Sequence, residues 1–95
     1  MNIANGQVTT NEGQPAKSKL YRFCEKKIDQ WLESHDVSSP AEFRVSFSEE
    51  GDSKQISCVT EILMGEKILR GCDMDVDTQA AFLHSLKRLH TAGHP

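Results

Sequence analysis

Ninety-five residues, 37% hydrophobic and 26% charged, describe a single small globular domain rather than a fibrous, multidomain or membrane chain. A net charge of −3 and a pI near 5.7 lack the basic balance that nucleic-acid and anionic-membrane partners select, so neither partner is expected. No run approaches the ~18 apolar residues of a membrane span. The opening MNIANGQVTTNEG has no apolar signal core, and Cys24, Cys58 and Cys72 form no CxxC pair, which together fit a reducing cytoplasm.

Residues 1–17 are rich in Asn, Gly, Gln, Thr and Lys with scattered apolar side chains, a composition that predicts a disordered tail. A helix is predicted from an N-cap at Ser18 to about His35. Leu20, Phe23, Cys24, Ile28, Trp31 and Leu32 recur at helical spacing on it. Lys17, Lys19, Arg22, Lys26 and Lys27 gather toward its start. Trp31 reads as a core anchor, and Asp36 to Pro40 as the break that follows.

Phe43 to Ser48 alternates apolar and polar, marking a strand with one buried face. Gln55 to Met74 then reads as two strands joined at Gly65-Glu66. In the first of these, Ile56, Cys58 and Ile62 point one way while Val59 and Leu63 point the other. A strand apolar on both sides is central or has its second face covered, so self-association is expected there. A three-residue loop would set Cys58 opposite Cys72, as packed thiols. Gly71 inside a strand suggests a bulge or a close backbone approach. Asp73, Asp75 and Asp77 precede a last helix running to about His90, with Asp75 as its cap and Gly93 as its terminator.

Few residues carry chemistry. Alternating aspartates could form a calcium loop, but from Asp73 the sixth and twelfth positions hold Thr78 and His84 instead of glycine and glutamate. His84, His90 and His94 lack supporting thiols or carboxylates for zinc. GxSxG, HExxH, P-loop and GxGxxG motifs are absent. Glu49 with Glu50, and Glu61 with Glu66, are solvated pairs without the asymmetry that acid–base work needs. A nucleophilic Cys72 would need a cation beside it to lower its pKa. The expectation is a protein that is not an enzyme and holds no cofactor or metal.

The order helix, three strands, helix resembles a double-stranded-RNA-binding domain, which implies phosphate contacts from lysines at the start of the last helix. Here Asp73, Asp75 and Asp77 stand at that place and would repel a duplex. Arg70-Gly71-Cys72-Asp73-Met74-Asp75-Val76, followed by Ala81, Phe82, Leu83, Leu86, Arg88 and Leu89, resembles the βββα unit of the 2-isopropylmalate synthase regulatory domain. That resemblance implies a module that pairs with itself, in a family whose paired units form an amino-acid site.

The sequence therefore predicts an α+β fold of order α-β-β-β-α, with a three-stranded antiparallel sheet and two helices mainly on one face, over residues 18–93. Its expected function is a small non-catalytic interaction or regulatory module. It would form a homodimer through the sheet, using Val59, Glu61, Leu63 and Arg70, with a small metabolite or another protein as ligand. The alternative is a degenerate RNA-binding domain using Lys19, Arg22, Lys26 and Lys27.

Overall fold

The computed structural model describes residues 4–37, 41–49 and 51–93. Pro40, Glu50 and His94 fall outside them. In chain order the elements are β1 (Ala4–Thr10), β2 (Gln14–Pro15), α1 (Ser18–Ser34), β3 (Ala41–Glu49), β4 (Ile56–Met64), β5 (Lys67–Asp75), α2 (Thr78–Lys87) and β6 (His90–Gly93), with two short 3-10 turns at Asn11–Gly13 and Gly51–Ser53. They build one six-stranded sheet ordered β2-β1-β3-β4-β5-β6.

This corrects the expected three-stranded antiparallel sheet. The fold is α+β with two helices, but β1 pairs with β3 in parallel, and the sheet is mixed. The segment expected as a tail supplies β1 and β2. Val8 is the apolar side chain that β1 buries, so the strand has no hydrophobic alternation to announce it. What holds it is tertiary: a backbone ladder from Ala4↔Ala41 to Thr9↔Ser46. At Gly6 a Cβ would stand 2.0 Å from the Phe43 carbonyl oxygen, so the strands approach this closely because glycine is there.

Residues of β3 alternate buried and exposed, with Phe43, Val45 and Phe47 in the core. In β4 the core takes Cys58, Thr60 and Ile62. Both helices lie on this face. Cys24, Ile28 and Leu32 of α1 are fully buried, as are Ala81, Phe82 and Ser85 of α2, and Phe23 meets Phe82 edge-on at 6.0 Å. Trp31 is half-buried against the core and stacks on His35 at 4.0 Å.

The helix ends differ from the sequence reading. Lys17, not Ser18, is the N-cap of α1, and its side chain makes no capping bond. At the other end Asp36 takes φ +57°, while the Asp36 and Val37 amides donate to the Glu33 and Leu32 carbonyls, which closes the helix as a Schellman motif. Asp77, not Asp75, caps α2 by accepting from the Ala80 amide at 2.9 Å. Gly93 belongs to β6 instead of ending that helix.

The β4–β5 turn has two residues, with Gly65 at φ +60° in the first position, where a type II′ turn favours glycine. That register sets Cys58 opposite Asp73 and Val59 opposite Cys72. The expected Cys58–Cys72 pairing is therefore displaced by one residue. Cys58 faces the core, and Cys72 lies exposed on the far side of the sheet. Gly71 is a close approach: a Cβ there would sit 2.1 Å from the Ser85 carbonyl oxygen of α2.

Candidate functional site

Two surfaces carry the residues singled out by the sequence, and they lie on opposite sides of the sheet. The first is the outward face of α1. Burial of Cys24, Ile28 and Leu32 turns Lys19, Arg22 and Lys26 to solvent, all exposed and none in an ion pair among the described residues. Seven residues at 1.5 Å per residue spread this stripe over about 10 Å. Lys27 lies to one side, half-buried, with Nζ 5.9 Å from the Phe23 ring centroid. Glu25 and Asp29 lie toward the flank opposite Lys27, while the exposed Glu33 follows Lys26 by two turns on the cation side. Glu25 and Asp29 both act on the Tyr21 phenol, whose pKa is raised by burial first and by these two charges next. The Tyr21 hydroxyl donates to the Gly6 carbonyl of β1 at 3.3 Å.

The second surface is the helix-free face of the sheet. Val59, Glu61 and Leu63 of β4 and Arg70 of β5 all stand on it, and the Arg70 guanidinium meets the Glu61 carboxylate at 3.1 Å. The register adds residues that sequence reasoning left out. Ile68 lies beside Leu63, Cys72 beside Val59, and Arg44 of β3 on the other side of Glu61. The alternation of β3 was the available signal for Arg44. Ile68 and Cys72 required the two-residue turn.

Elsewhere the polar groups have structural partners. The Arg88 Nε donates to Asp73 at 2.8 Å, which holds the Asp73 carboxyl below its usual range and raises the Arg88 guanidinium. The Asp75 carboxylate accepts from the Asp77 amide at 3.1 Å and lies 3.7 Å from His84 Nδ1. The three aspartates thus serve three different partners, and no group of three metal-ligating side chains occurs among the described residues. His90 Nδ1 lies 3.1 Å from the Arg88 carbonyl. The Ser85 hydroxyl donates to the Phe82 carbonyl at 2.7 Å and sits 3.5 Å from the Cys58 sulfur. Burial pushes the Cys24 thiol up to about 12 and raises that of Cys58. A cleft of about 500 Å³ opens between β1 and the start of α1, lined by Gly6, Val8, Pro15, Ala16, Ser18 and Tyr21 among others.

No family model and no curated protein matches this sequence. Among solved structures, the crystal structure of the Thermus thermophilus Protein Y N-terminal domain is similar, with a TM-score of 0.71 over 88% of this chain and 89% of that one. The two share 17% identity, so the likeness is one of fold. This chain begins with two strands, β1 and β2, before the first helix. It therefore departs from the α-β-β-β-α order on which the RNA-binding-domain resemblance was built. No helix among the described residues is long and apolar enough to cross a membrane.

Proposed function

We propose that this protein is a non-catalytic docking module that binds the sugar-phosphate backbone of folded RNA through the outer face of α1. One observation carries the reading: Lys19, Arg22 and Lys26 form an exposed row with no ion pair among the described residues, while Glu25 and Asp29 act on the Tyr21 phenol. Net charge sums over the whole surface, but binding depends on the local field. The overall −3 is compatible with one local basic row because eleven of the fourteen carboxylates lie outside α1. Phosphate contacts of this kind release counter-ions and are largely indifferent to sequence. The non-catalytic part of the reading is supported by the buried, raised thiols and by aspartates that serve as a cap and as ion-pair partners.

A gel shift with a short RNA hairpin tests this. With about three phosphates engaged, log affinity should fall with log salt at a slope of roughly −2 to −3. Reversing Lys19, Arg22 and Lys26 to glutamate should weaken binding at least ~10-fold and flatten that slope. A wild-type protein that fails to shift RNA at the lowest salt, or a triple variant that binds equally well, would remove this reading.

A second reading, association of two copies through the open sheet face, is favoured by a specific observation. Val59, Leu63 and Ile68 are half-buried there in the single chain and lie next to the exposed Cys72 and Met74. The molar mass in solution decides it.

A further inference from the structure

The open face of β4 and β5 is self-complementary about one axis, and we infer that a second copy of this chain packs there with its two-fold axis parallel to the strands and between them. This deepens the self-association reading above and rests on it. Four cross-strand pairs define the face: Ser57 with Met74, Val59 with Cys72, Glu61 with Arg70, and Leu63 with Ile68. An axis between the two strands lays β5 of one copy over β4 of the other without shifting the rows. Each Glu61 then faces an Arg70 of the other copy, and the two ion pairs close into an alternating square of four charges. Leu63 covers Ile68 above the square, and Val59 covers Cys72 below it.

Neighbouring axes fail on the same residues. An axis along β4 stacks Glu61 on Glu61 and Arg44 on Arg70, which sets like charges together. One along β5 stacks Arg70 on Arg70. Between β3 and β4, Arg44 would meet Glu61, but Leu63 would lie on Glu42 and Val59 on Ser46, setting polar groups on apolar ones. The axis between β4 and β5 pairs opposite charges and matches the apolar rows on either side of them, leaving Met74 over Ser57 at the end of the face as its one mixed contact. Aligned sheets cross at about 30°, so the outer corners, where Arg44 and His90 would otherwise meet, diverge. Four strands of nine residues or fewer present about 600 Å² per copy, the lower end of stable interfaces, so micromolar association is expected.

Charge reversal and mixing test the arrangement by light scattering on a sizing column, from about 10 to 500 µM. Wild type should approach the dimer mass. At the two positions of the central pair the E61R chain carries only cations and the R70E chain only carboxylates, with Arg44 unchanged beside them in both. Each alone should dissociate at least ~10-fold more readily, while their equimolar mixture should return to the dimer mass. The double variant E61R/R70E retains an ion pair within the chain and should also be dimeric. Circular dichroism checks that each variant is folded.

A monomeric wild type at the highest concentration would end the self-association reading itself. A dimeric wild type with single variants that remain dimeric alone, or with a mixture or a folded double variant that stays monomeric, would leave that reading standing and overturn this axis.

Discussion

The hydroxyl of Thr60 on β4 lies 2.7 Å from that of Ser85 on α2, and both residues are fully buried. Ser85 has a single hydroxyl proton, and it bonds the Phe82 carbonyl at 2.7 Å, so Thr60 is the donor between the two. Among the described residues no buried side-chain nitrogen or oxygen lacks a partner, and this pair is one reason. Replacing Ser85 by Ala leaves the buried Thr60 hydroxyl only the weak 3.9 Å contact to the Cys58 sulfur and should cost about 1–3 kcal/mol in urea unfolding. Converting Thr60 to Val as well should cost less than the two single changes added together, because the stranded donor is gone. Strict additivity would mean that the hydroxyls do not interact.

Gly71→Ala should be more damaging than a surface change of the same size. The new methyl carbon would fall 2.1 Å from a backbone oxygen of α2, which cannot rotate away as a side chain would. The helix must lift from the sheet, at a cost of about 1–3 kcal/mol or more. A thermal melt within a degree or two of wild type would show that α2 moves more freely than its packing implies.

The cap of α2 gives a smaller and more local effect. Asp77→Ala removes the acceptor of the Ala80 amide and should cost about 1 kcal/mol, whereas Asp75→Ala should cost less. The order of the two losses, read from urea midpoints, is the discriminating result.

The thiols predict an alkaline limit. At neutral pH both folded and unfolded states hold the Cys24 proton. Above about pH 9 the unfolded chain ionises first, while the folded thiol keeps its proton to about 12. A folded pKa above the unfolded one means stability that is complete at neutral pH and declines through this window. The slope should approach about 1.4 kcal/mol per pH unit for each such thiol. Cys24→Ala should flatten the decline, though it also lowers stability at every pH by opening a cavity. In native protein at pH 8, diluted below the range in which two copies would associate, a chromogenic disulfide reagent should label Cys72 promptly, and Cys24 and Cys58 only on unfolding.

Legibility in the sequence followed from how much each element depends on its own side chains. α1 and the β3–β4–β5 hairpins bury regular stripes, and their periodicity showed them within a residue or two of their ends. β1 contributes Val8 to the core and otherwise lives on hydrogen bonds to β3, so its composition looked like a tail. The one-residue error at the β4–β5 turn had the largest local consequence, because a single step moves a strand residue to the opposite face. It took Cys72 from beside Cys58 to beside Val59. Both candidate surfaces contain residues visible as patterns, the cations of α1 and the second face of β4. Their arrangement was not visible. That the Tyr21 hydroxyl meets the Gly6 carbonyl, and that Arg70 meets Glu61, depends on tertiary placement.

The parallel ladder between β1 and β3 joins residues far apart in the chain; Thr9 and Ser46 are 37 positions apart. The β3–β4 and β4–β5 ladders, by contrast, close through short connections. During synthesis β1 therefore emerges first and, beyond its two-residue pairing with β2, has no partner strand until β3 has followed it. Loop closure makes such distant pairings slow relative to hairpins. In that interval β3 is an edge strand, with Phe43, Val45 and Phe47 on its core face and an unpaired backbone row along the edge that β1 will take. This is the geometry through which chains join one another into aggregates. A shortened or altered amino-terminus would thus lengthen the exposure of that edge, and its first symptom would be lost solubility before any change in the two candidate surfaces.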